Sequence, residues 1–396
     1  MAGIFPDVST SNQSTFRSCG AEAIQGDDMG EGTGVLVIGG GPAGLAVAIA
    51  ARKKGFDVTV ADGAKPPIDK ACGEGLMPST VAALQKLGVA ICPGDGQVFR
   101  GIRFVDALAS AEASFSSASG FGVRRTVLHQ KMVARVEECG ITLLWNTPVA
   151  GLSRGGAIFG DTVVKSRWII GADGMHSRVR RWTGLDANVQ QEIRFAQRRH
   201  YRVKAWTDCM EIHWGQKAQA YVTPLSNDET CVALISRDPR MRLRDAWREF
   251  PRLASHLCHA EPSSAERGAV TVTRRLGQVY RGNIALAGDA SGSVDAITGE
   301  GLCLSFHQAM ALAEALEKGN LLSYQRAHRR LRRRPNTTGR LLLLLDRYPR
   351  LRRRALGGLA ADPALFARLV AVHLGQASPK LLAAVSLRLG WQFLTA

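Results

Sequence analysis

The sequence predicts an α/β protein: a parallel, nucleotide-binding sheet interrupted by an antiparallel one and followed by a helical C-terminal region. Three observations carry this expectation. Residues 35–62 read VLVIGGGPAGLAVAIAARKKGFDVTVAD: a buried-strand run, a glycine-spaced turn, an apolar helix and a second strand ending on an acid. Two further stretches, WIIGADGMHSRVR at 168–180 and IALAGD at 284–289, again place an acid at or just past a strand end. Between Arg180 and Arg281, segments such as Tyr201 to Trp206, Cys209 to Trp214 and Cys231 to Ser236 alternate with period two, the pattern of half-buried strands. With 396 residues, 42 of them glycine, and 45% hydrophobic content, the chain has room for several domains, a sizeable core and many tight turns.

Residues 1–33 are rich in Ser, Thr, Gly and Asp and lack the basic start and apolar run of a signal peptide, so they read as a disordered extension. Met29, just ahead of the first strand, is an alternative start. Residues 34–95 open the nucleotide-binding domain. Gly39 makes the strand-to-helix turn, Gly41 lets a pyrophosphate approach the backbone, and Gly44 lets helix and strand pack closely. Pro42 and Ala43 begin the helix, whose free N–H groups and positive dipole end suit phosphate. Asp62 follows at the spacing where a carboxylate accepts bonds from an adenosine ribose. The pattern predicts a dinucleotide and leaves FAD and NAD(P) both open.

The three motifs in this order decide the cofactor. GxGxxG, then Asp173-Gly174 with Ser177 and Arg178, then Gly288-Asp289 resemble the para-hydroxybenzoate hydroxylase-like flavoproteins, which include single-component FAD monooxygenases and geranylgeranyl reductases. The resemblance covers residues 34–320. It implies a Rossmann-like FAD-binding domain of the glutathione reductase type, built from 34–95, 123–180 and 282–320. An antiparallel substrate domain comes from insertions 96–122 and 181–281, and residues 321–396 form the basic helical end. An extended FAD would touch Gly39, Gly41, Pro42, Ala43, Gly44 and Asp62. Further along it would touch Arg125 in VRRTVLHQKM, Val149 in Asn-Thr-Pro-Val, and Asp173. In the third zone it would meet Gly288, Asp289, Gly299, Gly301 and Leu302. Asp289 would accept a ribityl hydroxyl. Gly299 and Gly301 would admit the backbone to the flavin pyrimidine edge, with the positive end of the following helix behind them. Lys70–Leu76, KACGEGL, resembles the CGxGL segment of the reductases and places Cys72 near the flavin. Ala296 stands where family members carry proline, and Gln219–Pro224 keeps only part of the reductases' aromatic motif. WxWxIP is absent, which argues against halogenation.

No triad, paired carboxylate or metal-ligand pattern demands chemistry from the protein itself, as expected where a flavin carries the redox step. The leading reading is an NAD(P)H-dependent monooxygenase. It would hydroxylate or epoxidise an apolar aromatic, polyketide or lipid-like substrate through a flavin C4a-hydroperoxide, with NAD(P)H binding transiently. The alternatives are a geranylgeranyl reductase-like ene-reductase acting on an isoprenoid, and a non-catalytic flavin-binding peripheral membrane protein. Cys72, Tyr221 and His213 are the catalytic candidates, with Trp214 and Arg103 as further pocket candidates. Eight scattered cysteines without a CxxC pair indicate a reduced, cytoplasmic protein, and His256, Cys258 and His259 lack a fourth ligand, so no metal is expected. The net charge is +17, and residues 319–396 hold 15 Lys or Arg against 2 Asp or Glu. Their leucine-rich faces interleave with arginines at helical spacing. Two readings stay open: a helical cap on the FAD domain, or contact with an anionic membrane surface, which a lipid-like or carrier-bound substrate fits. No nucleic-acid-binding fold is recognisable, and no apolar window reaches the roughly 20 residues of a membrane span.

Overall fold

The computed structural model describes residues 34–376, apart from 117, 155 and 187–190. The expectations for residues 1–33 and for the end of the basic region lie outside the described residues. A six-stranded sheet forms the base of the molecule. Its spatial order is Tyr280–Arg281, Ile284–Leu286, Trp168–Gly171, Val35–Ile38, Val58–Ala61 and Thr142–Leu144. All neighbours are parallel except the outer Tyr280–Arg281 hairpin. Covered on both faces, these strands read as continuous apolar runs instead of alternating ones.

Helices Pro42–Arg52 and Gly301–Glu317 pack on one face, where Val35, Val37, Leu45, Ile49, Phe306 and Leu312 share a core. On the other face Leu36, Ile169 and Leu286 meet Val179, Ala157 and Phe159. The last two belong to a small antiparallel sheet, Gly151–Ser153, Gly156–Phe159 and Thr162–Lys165, that the sequence reading did not separate from the FAD-binding segment. Its strands are only three or four residues long, too short to give a periodic signal.

The second sheet runs Glu261–Pro262, Gln191–Arg202, Glu229–Ser236, Ala218–Pro224, Cys209–Trp214, Gly101–Val105, Ser110–Ser114, with Arg267–Arg274 also paired to Gln191–Arg202. The two insertions therefore build one sheet. Their junction, Gly101–Val105 beside Cys209–Trp214, is parallel, because it joins strands from separate connections. Every other pairing in this sheet is antiparallel.

The described part of the C-terminal region forms three helices: Leu321–Arg347, capped by Asn320; Pro349–Ala361, which opens on its proline without a side-chain cap; and Pro363–His373, capped by Asp362. At 27 residues the first is on the order of 40 Å long. Its start sits on the FAD-binding core, where the Tyr324 hydroxyl donates to the Leu286 carbonyl at 2.8 Å. Its end sits on the second sheet, where Asp346 accepts from Arg194 at 3.0 Å and Gln219 at 2.7 Å. The next helix is tied to that sheet by Arg352 and Asp106 at 2.7 Å. The basic region thus roofs both layers.

The third motif is pressed against the first. Gly288 has φ +59°, and a Cβ there would lie 2.5 Å from the Ala43 Cβ. Gly288→Ala should cost about 1–3 kcal/mol through clash and backbone strain. Thermal melts of Gly288→Ala, Ala43→Gly and the double variant test this: the pair should recover the steric part of the loss and leave the strain.

Candidate functional site

The three motifs end on adjacent strands. Ile38 is in register with Gly171, and Gly171 with Leu286, so the loops after them open at one edge of the sheet. This is where ligands bind in open α/β sheets. Gly44 allows the closeness of the first turn: a Cβ there would lie 1.8 Å from the Gly39 carbonyl oxygen. Gly41, by contrast, has no heavy atom within 4 Å of an added Cβ, and Gly299 and Gly301 are equally open. Packing does not require glycine at these three positions: Gly299 has φ +64°, which itself favours glycine, while the bareness of Gly41 and Gly301 leaves room for a ligand.

Polar groups at this edge fit an extended dinucleotide. In the Gly288–Ser291 turn, Gly288, Ala290 and Ser291 are buried while the Asp289 side chain opens into the cleft. Surrounding protein pushes its carboxyl above the usual aspartate range, and Lys70 and Arg125 partly offset the rise. Arg125 begins helix Arg125–Glu138; its backbone N–H donates to Glu74 Oε1 at 3.0 Å, and its buried Nε has no partner. Asp62 accepts from Gly40 N at 2.6 Å and Ala64 N at 2.7 Å, so its carboxylate shapes the first turn and keeps lone pairs for a ribose. Asp173 is held more tightly: Oδ2 accepts from Arg178 N and Val179 N, fixing the Asp173-Gly174 loop, while Oδ1 is buried without a partner. Val149 is buried beneath the Thr147-Pro148 segment, and Pro42 and Leu302 sit in the first turns of their helices, with Leu302 half-buried. Ala296, in place of proline, still enters a tight turn, because the Asp295 side chain accepts from Ile297 N at 3.0 Å. The residues present fit FAD.

Several partners were missed by sequence reasoning. His129 is fully buried and its Nε2 donates to the Gly40 carbonyl at 2.8 Å; burial lowers its pKa, which keeps it neutral. Glu74, at φ +58°, bonds the His200 ring at 2.6 Å and approaches Arg198. With Cys231, Glu74 and His200 place three ligand-type atoms within 4.8 Å. The Arg198 guanidinium and the direct Glu74–His200 bond make this a polar core, hostile to a second cation. Only the glutamate in CGEGL hinted at it.

From the Gly299 loop, an apolar cavity of about 640 Å³ extends between the second sheet and the helical roof. Ile297, Thr298 and Gly299 end it; Ile102, Phe104, Met210, Ile212 and Tyr221 form its floor; Leu342, Leu345, Leu359 and Phe366 form its roof. Met77, from the segment that starts at Cys72, also lines it. The Tyr221 hydroxyl donates to the Ile297 carbonyl at 2.9 Å, and burial raises its pKa, so it braces the loop and holds its proton. Trp214 is buried on the same face. His213 and Arg103 are not in this chamber. Side chains alternate along a strand, so Cys209, Glu211 and His213 face away from Met210, Ile212 and Trp214. His213 bonds Glu211 at 2.8 Å and Arg103 bonds Glu211 at 3.0 Å, in a separate polar pocket on the outer face. The Cys72 thiol accepts from Glu74 N at 3.4 Å, and burial pushes its pKa up despite nearby Arg125.

A parallel sheet with these three strand-end loops, a covering sheet and an apolar chamber between them define an FAD-dependent oxidoreductase of the para-hydroxybenzoate hydroxylase-like superfamily. The chain belongs to the FAD binding domain family, whose model matches residues 32–320. It is 27% identical to a menaquinone reductase from Mycolicibacterium smegmatis, over 74% of this chain and 78% of the relative. It is 28% identical to digeranylgeranylglycerophospholipid reductase 1 from Methanopyrus kandleri, over 68% and 76%. It is 26% identical to 3-demethoxyubiquinol 3-hydroxylase from Escherichia coli, over 72% and 79%. Among solved structures it resembles a flavoprotein/dehydrogenase from Cytophaga hutchinsonii, with TM-score 0.76 and 21% identity over 86% of this chain and 92% of that one. It also resembles the flavin-dependent brominase Bmp2, with TM-score 0.73 and 19% identity over 86% and 93%. These two likenesses are of fold alone.

Asp289→Asn should weaken FAD binding about ten- to a hundredfold, the worth of a hydrogen bond to a charged group. Because the folded carboxyl is raised, its contribution to apo-protein stability is present at low pH and lost as pH rises through the folded value. The same substitution should therefore raise the apo melting temperature above that window. FAD titration and apo melts across pH read the two effects separately.

Proposed function

We propose that the protein is an FAD-dependent oxidoreductase for a lipid-like molecule whose long apolar chain lies in the 640 Å³ cavity. The carrying observation is the continuity of that cavity with the Gly299 loop, which directs a chain from the roof toward the cofactor edge. Its walls are almost wholly aliphatic and aromatic, as suits ligand pockets of this size. The named relatives support this class, since menaquinone, a digeranylgeranyl lipid and a ubiquinol all carry isoprenoid chains.

Gly39, Gly41, Gly44 and Asp62 would hold the adenosine and pyrophosphate end of FAD, with Arg125 and Asp173 alongside. Asp289, Gly299 and Gly301 would hold the flavin end. When bound, the flavin supplies the electron pair, with NAD(P)H as the proposed reductant. The chain's own groups bind, orient and exclude water.

Reduction of a chain double bond is our first reading. It needs a proton as well as a hydride; our candidate donor is Cys72, whose segment runs on to Met77 in the cavity wall and whose thiol pKa burial pushes up. Monooxygenation, the first expectation from sequence, is the second reading, favoured by the likeness to the demethoxyubiquinol hydroxylase. Anaerobic turnover of a polyprenyl substrate with NADPH supports reduction; turnover that stops without oxygen and consumes it when present supports hydroxylation.

Cys72→Ala should retain FAD and lower reduction about a hundredfold or more, the usual contribution of a positioned acid. An unchanged rate would remove Cys72 from the chemistry. Ala355→Phe, which narrows the cavity, should shift preference to shorter chains at unchanged FAD content, read by competition between substrates of different length.

A further inference from the structure

We propose that the cavity opens onto an anionic phospholipid bilayer through the outer face of the helical roof, and that its substrate enters there. This rests on reading the cavity as the chamber for a lipid-like chain. Leu341 and Leu344 line the cavity, yet they are 59% and 44% exposed. They therefore form its rim toward the outside. Tyr348, 48% exposed, stands one turn beyond.

The rim is set among cations. Arg340 and Arg347 share the exposed stripe of helix Leu321–Arg347 with Leu344, at steps of three and four residues. Arg350, Arg353 and Arg354 continue the patch on the next helix, and Arg354 also lines the cavity. None of these arginines has an acidic partner among the described residues. The acids of this region are committed elsewhere: Asp346 is buried against Arg194, and Asp362 caps the last helix.

Exposed leucines ringed by unpaired arginines match an interface with apolar acyl chains and anionic headgroups. A nucleic acid would satisfy the arginines and leave the leucines unmatched. A second copy would bring like charges together. Helices Pro349–Ala361 and Pro363–His373 together are long and apolar enough for a span, but the pair is bent by 109° at its break and so forms no straight one. No single helix among the described residues is long and apolar enough to cross a membrane. Delivery through this rim spares a lipid chain from crossing water.

The test is co-sedimentation of the full FAD-loaded chain with vesicles of phosphatidylcholine alone or mixed with phosphatidylglycerol. Wild type should pellet with the mixed vesicles, less so as salt rises. R340Q/R347Q/R353Q should weaken this about fivefold per arginine, or about a hundredfold together, while R340K/R347K/R353K retains it. A fluorophore on Leu344→Cys should shift to the blue on the mixed vesicles. Flavin content reports folding, and geraniol binding, followed by tryptophan fluorescence, reports the cavity. Equal pelleting with both vesicle types, or an unaffected glutamine variant, would overturn the proposal. So would tighter binding to duplex DNA than to vesicles, a dimer that the glutamine variant dissociates, or vesicle binding only after removal of residues 377–396. Geraniol that fails to bind, with vesicle binding intact, would instead sink the substrate reading.

Discussion

The close approach of three loops at one sheet edge is the constraint on which the molecule depends. Ile38, Gly171 and Leu286 lie side by side in a parallel sheet, so the chain must turn three times in one small space. Gly44 nearly touches the Gly39 carbonyl, and Gly288 touches Ala43. Any side chain at Gly44 or Gly288 would force the loops apart. Once they are close, the open glycines define the ligand path and Asp289 is left facing it. The Gly288–Ser291 turn is held from behind, where Gly288 N donates to Gln308 and Ser291 bonds His328. Burial and neighbouring arginines drive His328 to a pKa of about 3, so this support stays uncharged across ordinary pH.

A second coupling ties the cofactor loop to the chamber. Tyr221 reaches from the second sheet to the Ile297 carbonyl, and Thr223 reaches the Gly73 carbonyl at 2.7 Å. Through these bonds the covering sheet positions both the Gly299 loop and the Cys72 segment. The roof is positioned by buried ion pairs, Arg352 with Asp106 and Arg194 with Asp346. Such pairs contribute little net stability, because desolvation offsets attraction, but breaking one strands a buried charge. Their effect here is to fix where three amphipathic helices sit on two different layers.

The cofactor edge was readable because its glycine turns, such as Gly39 to Gly44, are written within a few residues, although the contacts of Gly39 with Ala172 and of Gly288 with Ala43 join distant parts of the chain. The chamber was less readable. His213 and Trp214 are adjacent and cannot both face one pocket from a strand, and alternation in CMEIHW and GIRFV already separated Met210, Ile212, Ile102 and Phe104 from His213 and Arg103. The roof had no local signal: Arg352 and Asp106 are 246 positions apart, and a leucine-rich helical face looks the same whether it covers a chamber or a membrane. Here Leu345 faces the chamber and Leu341 its rim. Glu74 and His200, 126 positions apart, were invisible for the same reason.

The roof also enters the electrostatics of the cofactor edge. Glu300 lies between Gly299 and the helix that starts at Gly301, and it is buried. An uncompensated carboxylate there would cancel the positive end of the helix dipole, the feature that suits a ligand bearing negative charge. Arg334, from the first roof helix, meets Glu300 Oε1 at 3.2 Å, and His373, from the last, stands 3.9 Å from Oε2. Burial holds His373 below its ordinary pKa, so the formal charge that balances Glu300 comes from Arg334. With Arg334 in place, the helix dipole is left unopposed. The chamber's cover and the electrostatics of the cofactor edge therefore share one set of helices, the same ones that present the arginine-ringed rim.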